Sequence, residues 1–138
     1  MNDTDVLAIQ RLLSDFAWHA DGGDAPRLAQ LFTTDGELHV AGQVLQGRAE
    51  IAADCAARVA APGRKTRHTW SNLRVEPLTA DRVEATAIQV TYEQREGAQT
   101  EVRINDLADV LHREADGQWR FRQRVVSRQM RFHLASEG

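Results

Sequence analysis

The order of the hydrophobic patterns along this chain of 138 residues predicts a single α+β domain, residues 1–138. Apolar residues recur at helical spacing in most of the first half, and from Thr66 onward they alternate with a period of two. Neighbouring strands that are joined by short turns pair antiparallel, so helices followed by such strands are typical of an α+β fold. No repeat, low-complexity tract or linker indicates a second domain.

Two helices with one apolar side each are predicted at the beginning of the chain. The first has Asp3 or Thr4 as its N-cap and ends at the sequence DGGD (21–24), where a glycine can take the left-handed conformation. Asp24 then caps a short second helix with a proline in its first turn. The apolar side of this second helix consists of Leu28, Leu31 and Phe32.

A small hairpin and a third helix complete the first half of the chain. A turn at 33–36 leads into a short strand at 38–40, and a return through 44–45 closes the hairpin. The third helix follows Gly47 and ends at the sequence APG (61–63). Three helices are therefore expected.

Four strands are predicted in the second half of the chain. The first includes 66–75, the second runs from 83 to about 94, and the third passes through Leu111. A turn at 116–117 leads into the last strand, which holds Trp119, Phe121, Val125 and Val126.

Composition excludes several classes of function. A net charge of −3 and a pI near 5.9 give no general attraction to nucleic acid. No apolar run approaches the roughly 18 residues of a membrane span, and the acidic start MNDTDV lacks the features of an export signal, so we expect a cytoplasmic protein. The single cysteine, Cys55, excludes an internal disulfide and a cysteine cluster that binds metal. It lies on the apolar side of the third helix, where packing is the expected role.

Common catalytic motifs are absent, which leaves two isolated residues as candidates. Asp21 ends the first helix, where its carboxylate faces the negative end of the helix dipole and gains from a nearby donor. His68 lies in TRHTWSN, where alternation places it on one face with Thr66, Trp70 and Asn72. From composition and spacing alone, a turn-forming role explains Asp21 as well as a catalytic one does, and a structural role is the better explanation of His68.

Four stretches of the chain together resemble the SnoaL-like branch of the nuclear-transport-factor-2-like superfamily: FAWHADGGDAPRLAQLFTTDGEL, LQGRAEI, TRHTWSN and DGQWRFRQR. That group includes polyketide cyclases, scytalone dehydratase, bile-acid dehydratase, hexachlorocyclohexane dehydrochlorinase and the small subunits of ring-hydroxylating dioxygenases. The resemblance implies a cystatin-like cone, in which a curved mixed, mainly antiparallel sheet wraps around three N-terminal helices. It also implies an apolar interior that holds a small molecule.

The resemblance further implies roles for particular residues. In the dehydratase and dehydrochlorinase members, the catalytic aspartate and histidine occupy the positions of Asp21 and His68, and a pocket arginine falls on Arg124. Those relatives tend to carry a polar Tyr or Lys five residues before the aspartate, where this sequence has Phe16. Ketosteroid isomerase, a cousin with the same fold, has its basic aspartate on the early hairpin, where this sequence has residues 39–40, His-Val. The isomerase mechanism is therefore disfavoured.

These expectations combine into one functional hypothesis. The chain is expected to be a cofactor-free lyase, dehydratase, isomerase or cyclase for a small apolar ring or polyketide-like molecule. His68 acts as the general base, Asp21 orients it, and Arg124 holds an anion. The walls of the pocket are expected to include Phe16, Trp18, Trp70 and Asn72. No metal is expected, because a third ligand at a usual spacing is missing.

Two alternatives remain open from the sequence. The first is a small-molecule binding domain without turnover, which Phe16 in place of a polar assistant favours. The second is an assembly subunit that resembles the small subunit of ring-hydroxylating dioxygenases. In each case we expect a homo-oligomer, a dimer or a trimer, because such cones expose one face of their sheet.

Overall fold

Three helices and six strands make up residues 1–135, the part of the chain that the computed structural model describes. The helices are α1 (Asp3–Gly22), α2 (Ala25–Gln30) and α3 (Gly47–Val59). The strands are β1 (Phe32–Val40), β2 (Gln43–Gln46), β3 (Lys65–Thr79), β4 (Arg82–Gln94), β5 (Glu101–Arg113) and β6 (Trp119–His133). The α+β class and the four long strands agree with the prediction. None of the described helices is long and apolar enough to cross a membrane.

All six strands form one mixed sheet in the order β2-β1-β6-β5-β4-β3. Strands β1 and β6 are parallel, and every other neighbouring pair is antiparallel. Short turns join the strands from β3 to β6, which explains why these strands pair with their neighbours in sequence. The helices cover the inner face of the sheet, and the core lies between the two layers.

The ends of α1 are fixed by local chemistry. The N-cap is Asn2 rather than the expected Asp3 or Thr4, because Asn2 and Asp5 exchange hydrogen bonds between side chain and backbone in a capping box. At the other end, Gly23 has a φ of 71°, and a Cβ atom there would lie 2.8 Å from Val59 Cγ1. Glycine is favoured at this position because other residues adopt the left-handed backbone at a cost and because a Cβ atom would also have to displace the Val59 side chain of α3.

The sequence predicted that Phe32 lies on the apolar side of the second helix, but this residue begins β1 instead. It pairs with Phe121 on β6, and the rings of Phe16, Phe32 and Phe121 pack with centroids 5.1 to 6.3 Å apart. Burial of this aromatic cluster favours the extended conformation over another turn of helix. The expected turn at 33–36 appears as a shift of register in β1 between Phe32 and Glu37.

A bulge in β3 changes which of its side chains face inward. The register with β4 shifts between Ser71 and Arg74, and Asn72 has a φ of 57°. One extra residue reverses the alternation, so Leu73 and Val75 pack against the core while Asn72 is exposed. The predicted face of β3 is therefore wrong beyond Trp70.

Candidate active site

Asp21 and His68 lie against each other where the last turn of α1 meets the first residues of β3. His68 Nδ1 lies 2.5 Å from Asp21 Oδ1, and the His68 backbone N–H donates to Asp21 Oδ2 at 2.8 Å. The Thr66 hydroxyl donates to Asp21 Oδ1 at 2.9 Å. The carboxylate thus accepts three hydrogen bonds from one strand, and this arrangement fixes the orientation of the imidazole.

Burial by itself would raise the pKa of the Asp21 carboxyl. The hydrogen bonds from His68 and Thr66 outweigh burial and hold that pKa below its usual value of 3.8. An ionised Asp21 accepts the proton of Nδ1, so in the neutral ring Nε2 is the free base. His68 Nε2 makes no hydrogen bond within residues 1–135, and the ring lines a cavity.

The lowered pKa of Asp21 predicts a stability difference that depends on pH. A carboxyl group with a depressed folded pKa stabilises the fold above its unfolded pKa, and this contribution is lost as the pH falls through the folded value. We therefore expect the Asp21→Asn variant to be less stable than the wild type near neutral pH. The difference in the free energy of unfolding should shrink as the pH falls below 3.8. Urea titrations of both proteins between about pH 6 and pH 3 measure it, and a constant difference across this range would contradict the prediction.

The cavity beside His68 has a volume of about 960 Å³ and lies between the helices and the inner face of the sheet. This volume is at the upper end of the range for small-molecule sites. One part of its wall is apolar and contains Phe16, Ala20, Leu28, Leu38, Val40 and Val126. Phe16 is thus the one predicted wall residue that contacts the cavity.

The opposite part of the wall is polar, which the prediction of an apolar pocket missed. Strand β4 turns Gln89, Thr91 and Glu93 inward, and all three side chains are buried. Asn105 of β5 donates its amide to Gln89 Oε1 at 3.3 Å. The sequence contains the signal for this wall, because the inward positions of β4 change from Val83, Ala85 and Ala87 to Gln89, Thr91 and Glu93.

An ionic cluster continues this wall at one end of the cavity. Both oxygens of Glu93 accept hydrogen bonds from arginines: Arg64 at 2.9 Å, Arg95 at 3.0 Å and Arg103 at 3.4 Å. Arg103 also donates to Glu101 at 2.8 Å. Burial opposes the charge of Glu93, but the hydrogen bonds from these arginines outweigh it and hold its pKa below the usual 4.5. The cluster is therefore ionised at neutral pH.

Arg124 is not among the residues that line the cavity, contrary to its expected role as an anion holder. Its side chain is 1% exposed and forms a two-pronged ion pair with Asp109, with distances of 2.9 and 3.2 Å. The guanidinium carbon lies 4.4 Å from the centre of the Phe16 ring and 4.5 Å from that of Phe121. A carboxylate of the chain itself thus occupies the charged edge of this arginine, and aromatic rings pack against its plane.

Three predicted wall residues also lie outside the cavity. Trp18 is 70% exposed on the outer side of α1. Trp70 packs against the core and donates its indole N–H to Ser14 at 3.1 Å, and Asn72 is turned outward by the bulge in β3. Cys55 does line the cavity, but burial raises the pKa of its thiol, which favours packing over nucleophilic chemistry.

No group of three or more histidine, cysteine or acidic side chains within residues 1–135 is arranged to hold a metal ion. The candidate site consists of four parts: the Asp21–His68 pair, the apolar wall, the buried amide pair of Gln89 and Asn105, and the ionic cluster around Glu93. This arrangement suits transfer of a proton within a partly apolar molecule.

Residues 3–125 match the family model of the SnoaL-like domain. A hexachlorocyclohexane dehydrochlorinase, LinA type 2, has a similar structure with 28% identity and a TM-score of 0.85 over 97% of this chain and 91% of that one. A scytalone dehydratase-like protein of Novosphingobium aromaticivorans shares 21% identity over 99% of this chain and 94% of its own, with a TM-score of 0.84.

A third structure supports the fold itself. A protein of unknown function from Nostoc punctiforme, described as having a cystatin-like fold, shares 20% identity, with a TM-score of 0.80 over 94% of each chain. The predicted cystatin-like arrangement of helices and mixed sheet is therefore confirmed. No curated protein sequence matches the chain.

Proposed function

Because the chain belongs to the SnoaL-like domain family, we propose that it is a cofactor-free lyase that uses His68 as a general base on a small molecule. One observation carries the proposal: Asp21 holds Nδ1 of His68, while the opposite nitrogen has no partner among residues 1–135 and the ring lines a cavity. Two relatives of similar structure, a dehydrochlorinase and a scytalone dehydratase-like protein, have names that denote elimination.

The proposed reaction begins when Nε2 of His68 removes a proton from a carbon next to a carbonyl or a leaving group. The ring becomes an imidazolium, which the Asp21 carboxylate stabilises at 2.5 Å through Nδ1. A base placed in this way accelerates the reaction by about 10²–10⁴-fold. Loss of a hydroxide or halide from the neighbouring carbon then completes an elimination, whereas return of the proton elsewhere gives an isomerisation.

Neutral donors are available for the negative charge that develops on the substrate. Gln89 and Asn105 are 5% exposed and line the cavity, and within residues 1–135 the hydrogen bond between them leaves further amide N–H groups of the pair free. Along β4, Gln89 is two residues from Thr91, the register partner of His68. Because Arg124 is paired with Asp109, we assign the stabilisation of an enolate to these amides instead.

Proton exchange gives a direct test of this function. A panel of cyclic ketones with a β-hydroxyl or β-chloro substituent is incubated with the protein in D₂O, and the spectra are followed by ¹H NMR. We expect catalysed loss of the α-proton signal, together with elimination for the best substrate. Compounds that bind in the cavity without any exchange or elimination would contradict a lyase and favour the binding domain.

We also propose that the chain forms a homo-oligomer, as expected from the sequence. The outer face of the sheet groups Tyr92, Met130 and Phe132, which are 43%, 55% and 45% exposed. Apolar side chains grouped in this way are typical of a surface that another copy covers. Light scattering after size-exclusion chromatography should give a multiple of the chain mass, and the mass of a single chain at micromolar concentration would contradict the proposal.

A further inference from the structure

Arg64 is nearly buried but uses only part of its hydrogen-bonding capacity. Its side chain is 9% exposed, and its Nε donates to Glu93. The two terminal nitrogens make no hydrogen bond to an acceptor within residues 1–135, although the residue lines the cavity. Every fully buried side-chain nitrogen and oxygen within residues 1–135 has a hydrogen-bond partner, so these terminal nitrogens are not sealed in the core but are open to the cavity and to its contents. They form a planar fork of the kind that binds a carboxylate.

The charges around Arg64 favour a negatively charged ligand. Three arginines (Arg64, Arg95 and Arg103) surround two glutamates (Glu93 and Glu101), so the cluster has one positive charge in excess. The oxygens of Glu93 are already occupied by these arginines. Arg128 also lines the cavity and adds a further positive charge, so an anionic ligand is favoured over a neutral one.

The register of the sheet sets the distance between this cluster and the base. Glu93 pairs with Thr66, and His68 pairs with Thr91, so Glu93 lies one strand across and two residues along from His68. The spacing of strands and residues in a sheet places their backbones roughly 8 Å apart. A ligand with its anionic group at Arg64 and its reacting carbon at Nε2 of His68 would therefore have several bonds between these two points. A small ring carboxylate has this length.

We propose that the substrate is an organic carboxylate whose carboxylate group is bound by the terminal nitrogens of Arg64. The apolar wall around Phe16 and Leu28 takes the hydrocarbon part, and His68 acts on a carbon between the two ends. This inference names the substrate class for the proposed lyase and rests on that function for the role of His68. The binding of the carboxylate itself does not depend on turnover.

Benzoate and benzamide provide the test, because they have nearly the same shape and differ in charge. Titrations by calorimetry and by ¹H–¹⁵N NMR should show that the wild type binds benzoate at least about tenfold more tightly than benzamide, the usual effect of a charge-assisted hydrogen bond. The amide signals of Arg64 and Glu93 should shift with benzoate. Equal affinity for the two compounds, or no detectable binding of benzoate, would overturn the proposal.

Two variants locate the binding at Arg64. Arg64→Gln should lose the preference for benzoate, whereas Arg11→Gln should retain it to within about twofold, because Arg11 is 79% exposed, pairs with Asp15 and does not line the cavity. Unchanged benzoate affinity in Arg64→Gln would overturn the assignment. If Arg64→Gln does not fold, Arg64→Lys replaces it. Lysine keeps the charge but not the planar fork, and a loss of at least about fivefold is expected.

The same titration separates this inference from the proposed function. His68→Gln should bind benzoate as the wild type does, since the imidazole is not part of the carboxylate subsite. Binding that depends on Arg64 in a protein without any turnover would contradict the lyase and leave the subsite intact. Turnover of neutral compounds, with no preference for benzoate, would support the lyase and contradict the subsite.

Discussion

Replacing His68 with glutamine should lower the rate of proton abstraction by about 10²–10⁴-fold, the usual contribution of a general base. Glutamine keeps a polar side chain but has no nitrogen that takes up a proton near neutral pH. The affinity for substrate should change little, because the imidazole acts on the reacting carbon. His19→Gln is the matched control: His19 lies on α1, does not line the cavity, and its replacement should leave the rate unchanged.

Asp21→Asn should lower the rate of proton abstraction by a similar factor, but for a different reason. The carboxylate accepts from Thr66, from the His68 ring and from the His68 backbone N–H, and its two oxygens share these three bonds. An asparagine has one oxygen, so its amide N–H₂ group has to face one of these donors. If it faces the ring, Nδ1 becomes the acceptor and Nε2 carries the proton, so the base is lost.

The double variant distinguishes a working pair from two independent residues. If Asp21 acts only through His68, the Asp21→Asn/His68→Gln protein should be no slower than His68→Gln alone. Losses that multiply in the double variant would show that Asp21 acts separately. Full activity in His68→Gln would contradict the mechanism and would mean that another residue on the cavity wall is the base.

Much of the fold was predictable because its signals are local. The turn after Asp21, the helical spacing before it and the alternation after Thr66 depend on short stretches of sequence. The resemblance then paired Asp21 with His68, and the structure brings these two residues into contact. Their catalytic role stays a prediction.

The features that the sequence analysis missed depend on register and on distant partners. The bulge in β3 reverses the side chains beyond Trp70, and no residue pattern marked it in advance. The surroundings of Arg124 depend on Asp109 of the neighbouring strand, because the register sets these two residues opposite each other. Arg64 lies in a segment before β3 where no hydrophobic periodicity indicates which way its side chain points. Its contact with Glu93, 29 residues away, therefore becomes visible only in the folded chain.

The pair of Asp109 and Arg124 leads to the second large prediction, which concerns stability. Asp109→Asn should lower the free energy of unfolding by about 3–5 kcal/mol, because it leaves a buried guanidinium without its counter-ion. Both side chains are at most 1% exposed. Burial raises the pKa of the Asp109 carboxyl, and the charge of Arg124 opposes that shift. Urea denaturation of wild type and variant at neutral pH measures the loss.

Asp106→Asn is the matched control for this measurement. Asp106 lies on the same strand, is exposed on the outer face, and its replacement should change stability by less than about 0.5 kcal/mol. A loss below about 1 kcal/mol in Asp109→Asn would show that solvent or a neighbouring group compensates Arg124.

Removing the charges of both Asp109 and Arg124 should lower the free energy of unfolding much less than removing the charge of Asp109 alone. The variant Asp109→Leu/Arg124→Met replaces the ion pair with apolar side chains that pack against Phe16 and Phe121, and buried pairs replaced in this way are often neutral or more stable by about 1–4 kcal/mol. If Arg124 serves only the core, this double variant should also keep its preference for benzoate over benzamide. Loss of that preference in a stably folded double variant would show that Arg124, and not Arg64 alone, attracts the anion.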